Sequence, residues 1–154
     1  MADIKSPAAR SKNMAAIKGK NTKPELLIRK ALYARGFRYR LHDTKLPGKP
    51  DLVLKKYNAI ILIHGCFWHK HDCYLFKWPA TRVDFWKNKI ESNVIRDAKQ
   101  KEAYKELGWK ILTIWECALK GKNKLDFNQV IDRIELWLLT ATEDSEIKGE
   151  EPIK

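Results

Sequence analysis

Long hydrophobic runs are missing from this chain. No stretch approaches the roughly 20 apolar residues that a membrane-spanning helix requires. The opening Met1-Ala2-Asp3-Ile4-Lys5 likewise lacks the apolar core of a signal peptide. A cytoplasmic protein with no membrane partner is the expectation. Cysteine is scarce and odd in number, three in 154 residues. In a reducing compartment three thiols read as metal ligands or buried thiols and not as a disulfide framework. Internal repeats and low-complexity tracts are absent, and the length suits one domain with a real core. Acidic residues are the minority, 19 against 31 Lys and Arg, for a formal net charge of +12. That surplus favours a polyanionic partner. Nucleic acid leads over a membrane surface or a ribosomal role because the chain holds six tryptophans and no basic amphipathic anchor.

What is present is concentrated in one stretch. His64-Gly65-Cys66-Phe67-Trp68-His69-Lys70-His71-Asp72-Cys73 holds three of the four histidines and two of the three cysteines. Cys66, His71 and Cys73 have the ligand chemistry for one Zn²⁺. Cys117, the remaining cysteine, follows the β-rich run Trp109 to Trp115. Four ligands with no open position make a structural zinc site that pins the loop to a sheet. The alternatives are free buried thiols, or a catalytic zinc with water as one ligand. His69 and His64 are then spare for proton chemistry, since imidazole titrates near neutral pH; hydrogen-bonded structural histidines are the plainer reading.

The rest of the chain alternates helical and strand patterns. Residues 1–20 read as a flexible N-terminal arm, with a short helix over Ser11–Lys18 that places Met14 and Ile17 on one face. Thr22-Lys23-Pro24-Glu25 is a capping-box signature for a helix ending at Arg35 before Gly36. Phe37–Leu41 alternates as a strand, and Asp51–Lys55 and Ala59–His64 read as two more around a turn at residues 56–58. Thr81-Arg82-Val83-Asp84 is a second capping box, opening a helix to Leu107, and a last helix spans about Asn128 to Leu139. Residues 21–140 thus form one α/β domain around a central mixed β-sheet. The acidic residues 141–154 read as a disordered tail.

Two further features bear on chemistry. Asp51, directly after Pro50 at a strand start, is placed to hold a hard cation such as Mg²⁺. Such cations serve phosphodiester hydrolysis by polarising phosphate and activating water. On the long helix Trp86, Lys89 and Asn93 share a face that Asp97 continues. Exposed, that face stacks on bases, contacts phosphate and bonds base edges; the bland version has Trp86 in the core and Lys89 solvated. Phe67 and Trp68 add two aromatics suited to wedging a duplex.

Several segments in order resemble the very-short-patch repair (Vsr) DNA mismatch endonucleases. They are Leu46-Pro47-Gly48-Lys49-Pro50-Asp51, His64-Gly65-Cys66-Phe67-Trp68-His69, Cys73-Tyr74-Leu75-Phe76, Pro79-Ala80-Thr81-Arg82 and Trp115-Glu116-Cys117. The resemblance runs from about Thr22 to Trp137. It implies a restriction-endonuclease-like three-layer sandwich with a structural Zn²⁺ on Cys66, His71, Cys73 and Cys117. It also implies a catalytic Mg²⁺ on Asp51 and the backbone carbonyl of Ile63. By the same resemblance His69 is the general base, His64 a supporting histidine, and Glu25 and Asp97 acidic residues that orient histidines or metal-bound water. Phe67, Trp68 and Trp86 match the wedge, and Met14 and Ile17 the arm that grips the opposite groove. Lys89 and Asn93 are placed to read the opened pair. The implied activity nicks one strand 5′ to the thymine of a T·G mismatch left by deamination of 5-methylcytosine. Its partner is double-stranded DNA carrying that mismatch, with mismatch-repair proteins and a repair polymerase as associates and a monomer as the acting species. The strand after Asp51 lacks the acid and lysine usual in the wider nuclease superfamily, reading Leu62-Ile63-His64, a loss the Vsr family shares. A restriction-type endonuclease and a non-catalytic zinc-stabilised DNA-binding module are the competing readings. Asp51 and His69 separate the enzymes from the module.

Overall fold

A computed structural model describes residues 23–150. The arm of residues 1–20, including Met14, Ile17 and the expected short helix, lies outside the described residues. Within them the order is α1 (Lys23–Ala34), β1 (Arg40–Leu41), β2 (Leu52–Leu54), β3 (Ala59–His64), α2 (Val83–Glu106), β4 (Lys110–Trp115), α3 (Phe127–Thr140) and β5 (Ser145–Ile147). The five strands make one mixed sheet in the spatial order β1-β2-β3-β4-β5. Its first three strands pair antiparallel, and β3–β4 and β4–β5 pair parallel.

Strands β3 and β4 are apolar on both faces, which suits central strands covered on both sides. Alternation splits their side chains between two cores. Ile61, Leu112 and Ile114 pack with Leu52 and Leu54 against Ile28 and Leu32 of α1 and Val130, Ile131, Ile134 and Leu138 of α3. Ile60, Leu62, Val53 and Ile111 pack on the opposite face around Tyr104 of α2. The result is three layers, helices on each side of a sheet. Each fully buried Ile or Leu contributes about 1.5–3 kcal/mol, so these two cores outweigh the indifferent local propensity of short β2. Arg35 ties α1 to α3 through Asp132 at 2.7 Å and Glu135 at 2.8 Å. The parallel β3–β4 crossover carries the histidine-rich loop and α2, so that loop leaves the carboxyl end of a central strand, opposite Trp115.

Three sequence expectations change. The strand expected over Phe37–Leu41 is only Arg40–Leu41, because Phe37 turns into the core against Tyr57 and Tyr39 donates its hydroxyl to the Arg29 carbonyl. Helix α2 begins at Val83 with Arg82 in the left-handed region (φ +53°) and no side-chain cap, so Thr81 closes no capping box. α3 instead has a side-chain cap, with Asp126 accepting from the Gln129 N–H. Residues 141–150, expected as disordered tail, supply the edge strand β5. Its Ile147 is buried beside β4. Asp144 accepts from the Ile111 N–H and Glu146 from the Trp115 indole, so the acidic residues are spent as acceptors for β4. Composition alone does not reveal that partner.

Candidate active site and metal cluster

The loop after β3 folds back on itself. His71 N–H donates to the Cys66 carbonyl and Cys73 N–H to that of His71, which brings three expected ligands together. Cys117 reaches them from the 3-10 turn after β4. The ligand atoms of Cys66, His71, Cys73 and Cys117 all lie within 4.8 Å of one another. His71 Nδ1 is 3.4 Å from Cys66 Sγ and 3.6 Å from Cys117 Sγ. A tetrahedral ion with bonds of about 2.0–2.3 Å sets its ligand atoms about 3.5 Å apart, so the donor set and spacing fit one metal ion. Burial pushes the Cys66 and Cys117 thiols up and the His71 imidazole down. Backbone donors oppose that rise: Cys117 N–H points at Cys66 Sγ (3.3 Å) and Gly149 N–H at Cys117 Sγ (3.2 Å). Such donors favour the thiolates that bind metal. Gly149 was not foreseen; a Cβ there would lie 2.5 Å from the Cys117 carbonyl oxygen.

Trp115 connects this cluster to the histidines. Its ring stacks on His71 (centroids 4.0 Å apart) and meets the edge of His64 at 5.3 Å. His64, at the end of β3, stacks on His69 with centroids 3.8 Å apart and planes 4° from parallel. His69 Nδ1 is 2.5 Å from Asp97 Oδ2 on α2. A carboxylate there accepts the Nδ1 proton and leaves Nε2 as the lone-pair nitrogen. His64 differs in kind. Burial, the His69 ring and Lys101 hold its pKa well below the ordinary histidine value, so it is neutral. Its buried Nδ1 has no hydrogen-bond partner among the described residues.

Asp51 lies at the start of β2, and its Oδ2 accepts from the Ile63 N–H at 2.7 Å. A strand residue turns its N–H and C=O toward the same neighbour, so the Ile63 carbonyl opens on the Asp51 side of β3. Burial and the neighbouring Glu25 raise the Asp51 carboxyl to about 7, against the opposing Ile63 hydrogen bond. Glu25, expected in a capping box, is buried in α1 with Oε1 2.8 Å from His42 Nε2 and Oε2 3.7 Å from Arg29. His42 is the fourth histidine. The β1–β2 register carries the signal that finds it, since pairing Leu41 with Leu52 sets His42 beside Asp51.

Phe67, Trp68 and Trp86 form a half-buried aromatic group, with centroids 5.3–5.8 Å apart pairwise. Phe76, Trp78 and Phe85 extend it, with Trp78 and Phe85 exposed. Lys70 lies over Trp78 and Arg82 over Phe85. Lys89, three residues along α2 from Trp86, is exposed. Asn93 is not on an exposed face: it is buried and donates its amide to the Trp68 carbonyl at 3.0 Å. The helical period that groups it with Trp86 is right, but along that stripe Lys89 faces outward while Asn93 turns inward. Asn93 therefore holds the aromatic loop from beneath.

Comparison with known proteins identifies the family. The family model for the DNA mismatch endonuclease Vsr matches residues 2–75. The chain is 47% identical over 138 residues to the DNA mismatch endonuclease Vsr of Escherichia coli, covering 90% of this chain and 88% of that protein. It is 46% identical over 122 residues to the type II nicking enzyme V.NmeAIP of Neisseria meningitidis, covering 79% and 87%. With the type II nicking enzyme V.XorIIP of Xanthomonas oryzae it shares 39% over 126 residues, covering 82% and 93%. With a relative 47% identical across 90% of its length and the family model matched over residues 2–75, the chain belongs to the Vsr family of DNA mismatch endonucleases.

Proposed function

We propose that this chain nicks one DNA strand 5′ to the thymine of a T·G mismatch and so starts very short patch repair. The observation that carries the reading is the sharing of one short loop by His69 and the aromatics Phe67 and Trp68, which the Cys66, His71 and Cys73 cluster anchors. A loop so built couples distortion of a base pair to the place of bond cleavage. A wobble pair costs less to unstack and bend than a sound one, so aromatic insertion selects it. Asp51 and the Ile63 carbonyl fit a Mg²⁺ ion, as oxygen donors at a strand edge. When bound there, Mg²⁺ polarises the scissile phosphate and neutralises developing charge.

The chain's own residues do the rest. His69, oriented at Nδ1 by Asp97, takes a proton from the attacking water at Nε2. His64 stays neutral, stacked against the His69 ring. Glu25 and His42 border Asp51 from α1 and the β1 end. The Cys66, His71, Cys73 and Cys117 set suits Zn²⁺, and with four protein ligands that ion is structural. The surrounding α/β/α frame is that of a restriction-endonuclease-like nuclease. The reading includes a cytoplasmic monomer that hands the nicked strand to mismatch-repair proteins and a repair polymerase. Met14 and Ile17 belong to an arm that grips DNA. The +12 charge supplies sequence-independent affinity that weakens steeply with salt.

A nicking assay on matched and T·G duplexes with Mg²⁺ tests the reading. Cleavage of one strand of the T·G duplex alone is the expected result. Equal cutting of both duplexes points to a restriction-type enzyme, and binding without cutting to a DNA-binding module; either defeats the proposal.

A further inference from the structure

We infer that His42 is a nitrogen ligand of the cation held at Asp51, and that this chain's site consequently prefers Mn²⁺ or Co²⁺ to Mg²⁺. The inference rests on the reading above that Asp51 holds the catalytic cation. His42 is fixed by both backbone and side chain. Its N–H donates to the Asp51 carbonyl at 3.3 Å, and its φ is +45°. That conformation costs a non-glycine residue about 1–2 kcal/mol, and it turns the imidazole inward until the side chain is 11% exposed.

Inside, the donor atoms have the spacing of a coordination shell. His42 Nε2 is 2.8 Å from Glu25 Oε1 and 4.0 Å from Asp51 Oδ1, and the ligand atoms of the three residues all lie within 4.8 Å of one another. An octahedral ion with bonds of about 2.1 Å places adjacent ligands about 3.0 Å apart and opposite ones about 4.2 Å apart. Glu25 is buried and its Oε2 faces Arg29, which leaves Oε1 and His42 on the Asp51 side. Two carboxylates brought together out of water are relieved by a divalent ion, and the raised Asp51 carboxyl reflects that repulsion and burial. Coordination requires the His42 proton on Nδ1 and the Nε2 lone pair toward the ion. Imidazole binds more strongly along the series from Mn²⁺ to Co²⁺, whereas Mg²⁺ keeps to oxygen ligands.

Manganese itself is the probe. The full chain, its cysteine–histidine cluster loaded with zinc, is titrated with Mn²⁺ by electron paramagnetic resonance, and bound Mn²⁺ is examined by pulsed methods for coupling to ¹⁴N. Coupling is expected in the wild type. It becomes ¹⁵N coupling when histidine alone is isotope-labelled, and it disappears in His42→Gln. That variant should also lose at least about tenfold in Mn²⁺ affinity, with a smaller loss for competing Mg²⁺. Bound Mn²⁺ without nitrogen coupling overturns the role of His42 and leaves Asp51 as an oxygen site. Coupling that survives in His42→Gln overturns it equally. Absence of nitrogen coupling in the wild-type spectrum overturns the inference even if the variant folds poorly. Asp51→Asn distinguishes the deeper failure: undiminished Mn²⁺ binding there removes the Asp51 site and this inference together.

Discussion

His69 Nδ1 and Asp97 Oδ2 approach to 2.5 Å across the gap between the β3–α2 loop and the middle of α2. The carboxylate selects the tautomer with its proton on Nδ1 and prevents the ring from turning. Asp97→Asn preserves shape but reverses the hydrogen-bond preference, since an amide nitrogen can donate to Nδ1 and move the proton to Nε2. The variant should bind T·G duplex as the wild type does while its single-turnover nicking rate falls about 10²–10⁴-fold. Equal loss of binding, or an unchanged rate, removes Asp97 from the base.

The Asp51 carboxyl predicts a definite pH dependence. Its folded value, raised to about 7, lies above the roughly 3.9 of an unfolded aspartate. Between those limits the folded, cation-free protein holds a proton that the unfolded chain has released. Stability from this group is therefore complete below about pH 4 and is lost as pH rises through about 7. Melting curves without added divalent cation should show that decline, and Asp51→Asn should flatten it. A cation displaces the same proton, so divalent affinity should climb with pH up to about 7 and then level. Asp51→Ala should abolish nicking and leave DNA binding largely intact.

Much of the frame was legible because the signals were local. Ala59–His64 and Trp109–Trp115 are apolar on both faces, which marks central strands, and the cysteines and histidines advertise their own chemistry. What escaped depends on pairing at a distance. β5 has the composition of a solvated tail until Asp144 and Glu146 meet donors on β4. His42 gains meaning only through the β1–β2 register. Asn93 shows a different limit: period fixes which residues share a helix face, but the neighbouring loop decides whether that face is outside.

Gly149 offers a test of how far the C-terminal segment supports the metal cluster. A methyl group there would meet the Cys117 carbonyl oxygen at 2.5 Å and that of Asn123 at 2.9 Å. Since both are backbone atoms, the segment must shift, and Gly149→Ala should cost about 1–3 kcal/mol. The displaced N–H leaves Cys117 Sγ, so zinc release to a chromogenic chelator should quicken. Cys117→Ser should be the stronger lesion, with bound metal and stability expected to fall together. A Cys117→Ser protein with full zinc content would reassign the fourth ligand, and unaltered release from Gly149→Ala would make the tail a bystander.

Trp68 tests whether the aromatic group discriminates or merely packs. Its ring contacts Phe67 and Trp86 at 5.3 and 5.8 Å, while its carbonyl is tied to Asn93. The backbone of the loop is therefore held independently of the indole. Trp68→Ala removes stacking worth about 1–3 kcal/mol per base and leaves the Asn93 anchor and His69 in place. If insertion selects the weaker pair, the nicking ratio of T·G over T·A duplex should fall about tenfold or more, with the cysteine–histidine cluster keeping its zinc. A ratio that holds while both rates drop together returns Trp68 to structural packing. Asn93→Ala gives the converse control: it spares the indole but frees the loop, so nicking slows because His69 is misplaced.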